Sequence, residues 1–340
     1  MRKLLNTLYI TRQDVYVHQE GQTVVVEEDK KILLQLPIHT VSSIVCFGNI
    51  RFSPFLFGLC GEHGVHISFL TEYGKFLARV TGKISGNVLL RMNQMKTTFN
   101  EQKILSAAKS FVIGKVMNSR NLLLRRLRDH GENAPVEEAK SQMALVLKHL
   151  RSADSIDCVR GYEGEAANIY FSVFNELILT KKNTFHINGR NRRPPLDPMN
   201  ALLSFLYTIL LHDCEAALES VGLDPQIGFL HTLRPGRASL ACDLMEELRA
   251  PLVDRLALTL VNLNQITEKG FRKTELGSVE MMDDVRKVVL TAWQKRKQEV
   301  VIHPFIDEKI PIGLIPFVQA QLLAKFVRGD LDSYPPYLVK

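Results

Sequence analysis

The spacing of apolar residues changes once along this chain, near residue 88, and no other feature constrains its fold as strongly. Before that point, short runs rich in β-branched and aromatic residues are separated by Gly, Asn, Asp and Pro, a pattern that predicts β-strands. After it, apolar residues recur at three- and four-residue spacing, which predicts amphipathic helices. The sequence therefore predicts an α+β protein, with an N-terminal β-rich domain over residues 1–85 and a C-terminal all-α helical domain over residues 86–340.

Local signals place the individual elements. Strands are predicted at DVYVH, QTVVVEE, KILLQLPI, SSIVCFG, HISFL and FLARV, with one short helix at residues 55–62 and a hinge at 81–87. Asp197 before Pro198 and Ser239 before Leu240 are predicted helix caps, and Pro251 predicts a break or kink near residue 250. The predicted helices span about 101–130, 137–151, 163–181, 198–221, 240–263, 280–299 and 314–328.

Composition narrows the classes of protein that remain. A hydrophobic content of 46% excludes general disorder, and a net charge of +7 favours an anionic partner, either nucleic acid or an anionic membrane. The five cysteines contain no C-x-x-C pair, which argues against a disulfide framework or a structural zinc site and predicts a reducing cytoplasm. No signal peptide is evident, and the longest apolar stretch, residues 201–211, is too short to span a bilayer. A soluble, cytoplasmic protein is expected.

Acidic residues and one histidine form the first candidate site. Glu163 and Glu165 are predicted to open a helix, where the helix dipole alone can account for carboxylates. Asp243 and Glu246 are three residues apart on a later predicted helix, so both project from one face. Dipole complementation can also account for this pair, and a hydrogen-bonded loop histidine can account for His231 just before them.

The combination of these residues is harder to explain without a function. Two carboxylates about 4 Å apart repel by ~4 kcal/mol at an effective dielectric constant near 20. A buried group of Glu163, Asp243 and Glu246 therefore needs a cation, a proton or a basic neighbour. Carboxylate oxygens with one imidazole suit Mg²⁺ or Mn²⁺ better than zinc. The hypothesis of a shared centre requires Glu163 to meet His231 in space, which the linear sequence does not show.

Basic residues form the second candidate site. The stretch KKNTFHINGRNRRPP contains no acid, and its cations with an interleaved aromatic can line a phosphate backbone or form a solvated loop. The helix over residues 109–128 offers a weaker extension of this track through Lys115, Arg120, Arg125, Arg126 and Arg128. The candidate phosphate-contacting residues of this stretch are Lys181, Lys182, Arg190, Arg192 and Arg193.

Several enzyme classes lack their sequence signatures here. No phosphate-binding loop of the Walker or Rossmann type occurs, nor a G-x-S-x-G elbow, nor an H-E-x-x-H helix. A hydrolase of a small phosphorylated substrate would need a compact phosphate cradle, so this alternative ranks last.

The motifs together resemble the integrase-nuclease family of the CRISPR adaptation machinery, the first-numbered Cas protein, over essentially the whole chain. The resemblance rests on the pair Glu163-Gly164, on Asp197-Pro-Met-Asn200 with Ser204 and Tyr207, on Gly-Phe-Leu-His231, and on the Asp-x-x-Glu that ends at Glu246. The segments MRKLLNTLYIT, GRNRRPPLDPMNALLSFLYTIL and RGDLDSYPPYLVK further resemble the subtype I-C branch.

This resemblance implies a metal-dependent DNA endonuclease and integrase. It implies Mg²⁺ or Mn²⁺ held by Glu163, His231 and Glu246, with Asp243 close by as a supporting catalytic acid; some members carry Asp where this chain has Glu246. The implied reaction is transesterification, in which the 3′-hydroxyl of a captured DNA fragment attacks a phosphodiester at the leader end of a repeat array. Arg234 and Arg237 are then expected to contact phosphates, since arginine binds phosphate in a bidentate manner.

The resemblance also implies partners. They are double-stranded and branched DNA, a second copy of the chain bound largely through the β domain, and a small ferredoxin-like protein, the second-numbered Cas protein; no membrane is expected. The alternative hypothesis is a non-catalytic DNA-binding or scaffolding subunit that uses the basic surface alone. That alternative predicts DNA affinity that falls with salt and no response to added Mn²⁺ or Mg²⁺.

Overall fold

The computed structural model describes residues 6–72, 76–80, 82, 88–180, 182–191, 194–275 and 277–339. These residues divide into two compact units. The first contains the described residues up to 82 together with Val289–Glu299 and Pro311–Leu314, and the second contains the remainder. Strands dominate the N-terminal part and helices the C-terminal part, which confirms the predicted α+β class. The predicted hinge at 81–87 lies outside the described residues except for Gly82.

Two four-stranded sheets make up most of the first unit. One has the strand order β1-β5-β7-β8, parallel except for the antiparallel pair β7/β8, and the other has the order β4-β3-β2-β6, with two antiparallel hairpins and a parallel β2/β6 pair. The strands are β1 (Asn6–Ile10), β2 (Tyr16–Glu20), β3 (Thr23–Glu28), β4 (Lys31–Pro37), β5 (Val41–Phe47), β6 (Arg51–Phe52), β7 (His66–Leu70) and β8 (Phe76–Val80).

The register of the strands explains the core of this unit. Val17 faces Val26 across the second sheet and Ile44 faces Ile67 across the first, and all four side chains are buried in one apolar cluster. The predicted short helix, α1 (Pro54–Glu62), adds its buried face to the same cluster. Alternation with a period of two therefore drives one face of each sheet into a common core.

The second unit is built mainly from helices. α3 packs against α4, α5 and α8, and α7 packs against α8 and α11. Helices α3 and α7 have the bounds predicted from the sequence, whereas α2 was not predicted. The helices are α2 (Val88–Thr97), α3 (Glu101–His130), α4 (Ala134–Ser152), α5 (Ile156–Ser172), α6 (Lys182–Phe185), α7 (Pro198–Val221), α8 (Ser239–Glu246), α9 (Arg255–Asn262), α10 (Asp283–Gln298, which continues into the first unit) and α11 (Ile315–Arg328).

One predicted helix start and one predicted helix cap were wrong. α5 begins at Ile156, where the Ser155 hydroxyl accepts a hydrogen bond from the Cys158 N–H, so Glu163 lies in mid-helix and no N-terminal dipole accounts for it. The glycines at 161 and 164 lower local helix propensity and concealed this start. Ser239 is the first residue of α8 and makes no side-chain cap; its hydroxyl donates to the Thr232 carbonyl, 3.2 Å away.

The C-terminal part is not entirely helical, which corrects the all-α prediction. Strands β9 (Phe271–Lys273) and β10 (Val279–Met281) form an antiparallel ladder, and β11 (Val300–Ile302) pairs with β12 (Lys309–Pro311). Runs of three residues are too short for an alternating pattern to appear in the sequence. The predicted kink near residue 250 is confirmed, because the chain forms a π-helical turn at Arg249–Asp254 around Pro251.

Helix α7 occupies the interior of the second unit. The Asp197 carboxylate accepts a hydrogen bond from the Asn200 N–H at 2.7 Å, which confirms the predicted cap, and Gly222 ends the helix in the left-handed region at φ 88°. By length and composition, α7 is apolar enough to cross a membrane. The apolar segment is therefore longer than the stretch 201–211 that was identified from the sequence. Because 67% of its most apolar window is buried inside the fold, it has the properties of a core helix.

Candidate functional site

Glu163 and Glu246, far apart in the sequence, meet at one side chain of the second unit. Lys115 of α3 forms an ion pair with Glu163 Oε1 of α5, and its Nζ lies 2.8 Å from Glu246 Oε2 of α8. The side chains of Lys115 and Glu246 are only 11% and 3% exposed. Because α3 packs against both α5 and α8, the helix packing brings the two acids to the same place.

Asp243 fixes the position of His231. Its Oδ2 accepts hydrogen bonds from the N–H groups of Phe229 and Leu230 at 2.6 and 2.9 Å, and its Oδ1 accepts from the His231 N–H at 2.9 Å. The same Oδ1 lies 2.6 Å from His231 Nδ1. A carboxylate only accepts hydrogen bonds, so this contact places a proton on Nδ1, and Nε2 is the ring nitrogen that remains for a further partner.

Gly228 makes this arrangement possible. A Cβ atom at this position would lie 2.9 Å from Asp243 Oδ2 and 2.8 Å from the backbone carbonyl carbon of Ser239. A side chain at 228 would therefore displace the carboxylate from the N–H groups that it accepts. The motif Gly-Phe-Leu-His231 therefore needs a glycine at its first position for steric reasons, which the sequence pattern alone did not show.

The imidazole faces the acidic pair. His231 Nε2 lies 3.8 Å from Glu246 Oε1, and the guanidinium of Arg249 lies 2.8 Å from the same oxygen. Glu163, His231 and Glu246 are thus linked through short contacts, and Asp243 lies behind the histidine. All four residues lie within one unit of the fold, and the contacts that link Glu163 to His231 run through Lys115 and Glu246.

The electrostatics favour an ionised Glu246. Burial opposes its ionisation, but the charges of Arg249, Lys115 and His231 outweigh burial and lower the pKa of Glu246 to about 2. The sequence predicted that a buried acid cluster would need a cation, a proton or a basic neighbour. The fold supplies basic neighbours.

Sequence reasoning missed the roles of Lys115 and Arg249. Lys115 was grouped with a basic helix face, and nothing in the linear sequence pairs it with residues of α5 or α8. Arg249 had a usable signal, because it follows Glu246 at the three-residue spacing that places side chains on one helical face. Its guanidinium also lies 5.0 Å from the ring centroid of Tyr207, which helps to hold it beside Glu246.

Glu247, the residue that follows α8, forms hydrogen bonds with the C-terminal part of the chain. The Glu247 carboxylate accepts hydrogen bonds from the Tyr334 hydroxyl at 2.5 Å, the Gln319 amide at 2.8 Å and the Tyr337 N–H at 3.0 Å. Burial raises the pKa of Glu247 to about 7, although these donors act in the opposite direction. A Cβ atom at Gly114 of α3 would lie 2.7 Å from the Glu247 Cβ, so the glycine allows this close packing.

A second buried acid lies beside the centre. Asp254 accepts hydrogen bonds from the hydroxyls of Tyr170 at 3.0 Å and Tyr207 at 2.5 Å. Burial raises the pKa of Asp254 to about 6, and the two tyrosine hydroxyls act against that rise. These residues line a pocket together with Lys115 and Arg249. Tyr207, which follows the Asp197-Pro-Met-Asn200 motif on α7, therefore helps to position Arg249, and Arg249 contacts Glu246.

The predicted basic residues have different positions. Arg234 is exposed and Arg237 half-buried, both on the loop between His231 and α8. Arg190 donates to Asn200 Oδ1 at 2.7 Å and Ser204 Oγ at 3.1 Å, so its guanidinium is engaged with α7. Lys182 begins α6, but its side chain is outside the described part of the chain, as are residues Lys181, Arg192 and Arg193.

The basic run of α3 does not form a continuous free track. Arg120 donates to the Lys140 carbonyl at 3.1 Å and Arg126 to the Glu176 carbonyl at 3.0 Å. Arg125 and Arg128 both pair with Asp129. Lys115 faces the acids rather than solvent. The weaker proposed extension of the DNA-binding track is therefore mostly used in contacts within the fold.

The chemical types of the candidate ligands suit a hard divalent cation. Glu163 and Glu246 supply carboxylate oxygens, and His231 supplies a nitrogen lone pair, the ligands expected for Mn²⁺ or Mg²⁺. Among the described residues, no three His, Cys, Asp or Glu side chains are grouped closely enough to hold a metal as they lie. In this arrangement the Lys115 ammonium contacts both carboxylates.

Comparison with known proteins identifies the family. Residues 8–295 match the family model described as CRISPR associated protein Cas1. The chain is 50% identical, over 100% of both chains, to the CRISPR-associated endonuclease Cas1 2 of Rhodospirillum rubrum. The chain belongs to the Cas1 family. This confirms the predicted membership of the first-numbered Cas protein family, and the matched relative carries the name of a CRISPR-associated endonuclease.

Solved structures agree with the Cas1 fold. A Cas1 protein from Thermotoga maritima superimposes with a TM-score of 0.83 at 21% identity, covering 96% of this chain and 97% of that one. A Cas6-RT-Cas1–Cas2 complex contains a chain that superimposes with a TM-score of 0.83 at 25% identity, covering 98% of this chain and 36% of that chain. The α+β architecture is therefore that of Cas1 proteins.

Proposed function

We propose that this Cas1-family chain uses a divalent metal to cut DNA and to insert captured DNA fragments into a CRISPR repeat array. The single observation that supports the proposal most strongly is the convergence of Glu163, Glu246 and His231 Nε2 from three separate segments. A non-catalytic scaffold has no need to bury an ionised Glu246 beside an oriented imidazole, because burial of charge costs free energy.

Each residue then has a defined task. Glu163, His231 and Glu246 would hold Mg²⁺ or Mn²⁺, which supplies Lewis-acid stabilisation of a scissile phosphate when bound. Asp243 keeps a proton on His231 Nδ1, so that Nε2 would be the ring nitrogen that holds the metal. Arg249 and Tyr207 keep the Glu246 carboxylate in place. In strand transfer, a 3′-hydroxyl gives up its proton as its oxygen bonds to phosphorus, the bond from phosphorus to the leaving 3′-oxygen breaks, and that oxygen takes a proton, so one hydroxyl is consumed and one is formed.

A metal titration tests this proposal. Cleavage and strand transfer on a branched DNA substrate are expected to require Mn²⁺ or Mg²⁺, to stop in excess chelator, and to return when the metal is restored. Gel analysis of end-labelled strands measures both products. Activity that is unchanged in chelator would contradict the proposal, and salt-sensitive DNA binding with no cleavage under any metal would favour the non-catalytic scaffold instead.

The DNA surface is proposed to begin at the loop that carries His231. Arg234 and Arg237 would contact phosphates near the centre, and the segment with Lys181, Lys182, Arg192 and Arg193 would extend the contact. Arg190 is proposed to support that segment through α7, since its guanidinium already binds Asn200 and Ser204.

Changing Arg234 and Arg237 together to glutamine is expected to weaken DNA binding and to lower its salt dependence. Each lost phosphate contact should reduce the slope of log affinity against log salt by about 1. Fluorescence anisotropy with a labelled duplex at several salt concentrations measures both quantities. A variant whose affinity and slope match the unmodified chain would exclude the two arginines from the interface.

Partners are proposed from the family and the fold. The Cas6-RT-Cas1–Cas2 complex supports a Cas2 protein as a partner of this chain. A homodimer through the β-rich unit is supported by β4, an edge strand whose Ile32, Leu33 and Leu34 are exposed by 51%, 37% and 36%. Double-stranded and branched DNA, a cytoplasmic location and subtype I-C remain proposals from the resemblance.

A further inference from the structure

Lys115 lies between two carboxylates of the proposed metal centre. Its ammonium contacts one oxygen of Glu163 and one of Glu246, and these are two of the three proposed metal ligands. Lys115 lies on α3, which carries no other residue of the proposed metal centre. The side chain is 11% exposed, so the contact is not a loose surface pair.

The charges explain why this cation is needed in the absence of metal. Glu163, Asp243 and Glu246 are three acidic residues joined in one network of contacts, and Asp243 already accepts from four donors around His231. Arg249 contacts Oε1 of Glu246 and leaves Oε2 to Lys115. Without Lys115, Glu163 would lose its ion pair and keep the electrostatic attraction of Arg249, and it would repel Glu246 more strongly.

The same contacts conflict with metal binding. A divalent cation between Glu163 and Glu246 would use the oxygens that Lys115 now contacts, and it would repel the ammonium at short distance. The two cations therefore exclude each other from this position.

We propose that Lys115 is a built-in surrogate cation, which holds Glu163 and Glu246 together before the metal arrives and must leave when the metal binds. This inference rests on the proposed metal-dependent function. It assigns to Lys115 two linked effects: it stabilises the metal-free protein and it lowers the affinity for metal. The affinity for the metal then depends on Lys115, a residue that is not itself a proposed metal ligand.

Calorimetric titration of the full chain with Mn²⁺ tests the proposal. Lys115→Met removes the charge but keeps much of the side-chain volume, and it is expected to bind Mn²⁺ at least about 10-fold more tightly than the unmodified chain. Lys115→Arg keeps the charge and is expected to retain the weaker affinity. Lys109→Met is the matched control on α3, because its amino group donates to the Arg151 carbonyl, away from the acids.

Thermal unfolding in chelator gives a second measurement. Lys115→Met is expected to melt at a lower temperature than the unmodified chain without metal, and to gain more from added Mn²⁺. Lys115→Gln replaces Lys115→Met if the latter does not fold. Equal or weaker Mn²⁺ affinity in the charge-removing variant would overturn the proposal, since it would show that Lys115 does not compete with the metal.

A reference variant separates the two levels of inference. Glu163→Gln is expected to weaken Mn²⁺ binding strongly in the unmodified background. If it does so while the Lys115 variants show unchanged affinity, only the surrogate-cation proposal fails. If Glu163→Gln leaves Mn²⁺ binding unchanged, the proposed metal centre itself fails.

Discussion

Replacement of Glu163 by glutamine is expected to lower DNA cleavage and strand transfer by about 10³-fold or more, with little change in fold. The amide keeps the size of the side chain but removes the negative charge that the proposed metal needs. Lys115 loses one of its two acidic contacts but keeps Glu246. Initial rates on branched DNA with Mn²⁺ measure the effect, and circular dichroism checks the fold.

Glu165 provides the matched control, because it lies on the same helix but is exposed. Glu165→Gln is expected to retain the rate of the unmodified chain. If Glu163→Gln retained the full rate, as Glu165→Gln is expected to, the proposed centre would not be the catalytic one. Equal loss in both would instead indicate a general effect of charge on DNA binding.

Asp243→Ala is expected to give the largest loss of stability, about 3–5 kcal/mol. The change leaves three backbone N–H groups and His231 Nδ1 without their acceptor, and buried donors without partners each cost about 1–3 kcal/mol, part of which local relaxation recovers. Activity is expected to fall as well, since His231 loses the group that orients its ring. Urea unfolding followed by circular dichroism measures the free-energy change.

Asp157→Ala serves as the comparison for this prediction. Asp157 pairs with Arg160 on the surface of α5, where its side chain is 87% exposed. Surface ion pairs contribute about 0–1 kcal/mol, so this variant is expected to unfold close to the unmodified chain. A similar small loss for Asp243→Ala would show that the 229–231 segment is held by other contacts.

Much of the architecture was predictable because it depends on local rules. The bounds of α7 follow from the Asp197-Pro198 cap and from Gly222, and both signals act within one or two turns of the chain. The π-helical turn near residue 250 follows from Pro251, which cannot donate the hydrogen bond of a regular helix. The β-rich and helical parts follow from the change in apolar period.

Other elements depended on more than local pattern. α5 starts at Ile156 rather than at residue 163, because a Ser155 cap and packing against α3 and α4 outweigh the low propensity of two glycines. The three-residue ladders in the C-terminal part were missed because their pairing partners, not their own sequences, define them.

The candidate site, like the fold, was predictable from the sequence only in part. The residue types and their spacing in the sequence predicted the acids, the histidine and the kind of metal they would suit. They did not reveal that Asp243 accepts from the backbone around His231, nor that Glu247, next to Glu246, serves the C-terminal segment. The direction of each side chain is set by helix packing.

By itself, the sequence determined the fold class, the position of α7 and the chemical identity of the candidate ligands, because periodicity, capping and ligand chemistry are local properties. Only the tertiary structure decided that Lys115 of α3 lies between Glu163 and Glu246. Coulomb energy depends on the distance between charges in space. Those distances are set by the packing of α3 against α5 and α8, which residue spacing along the chain does not encode.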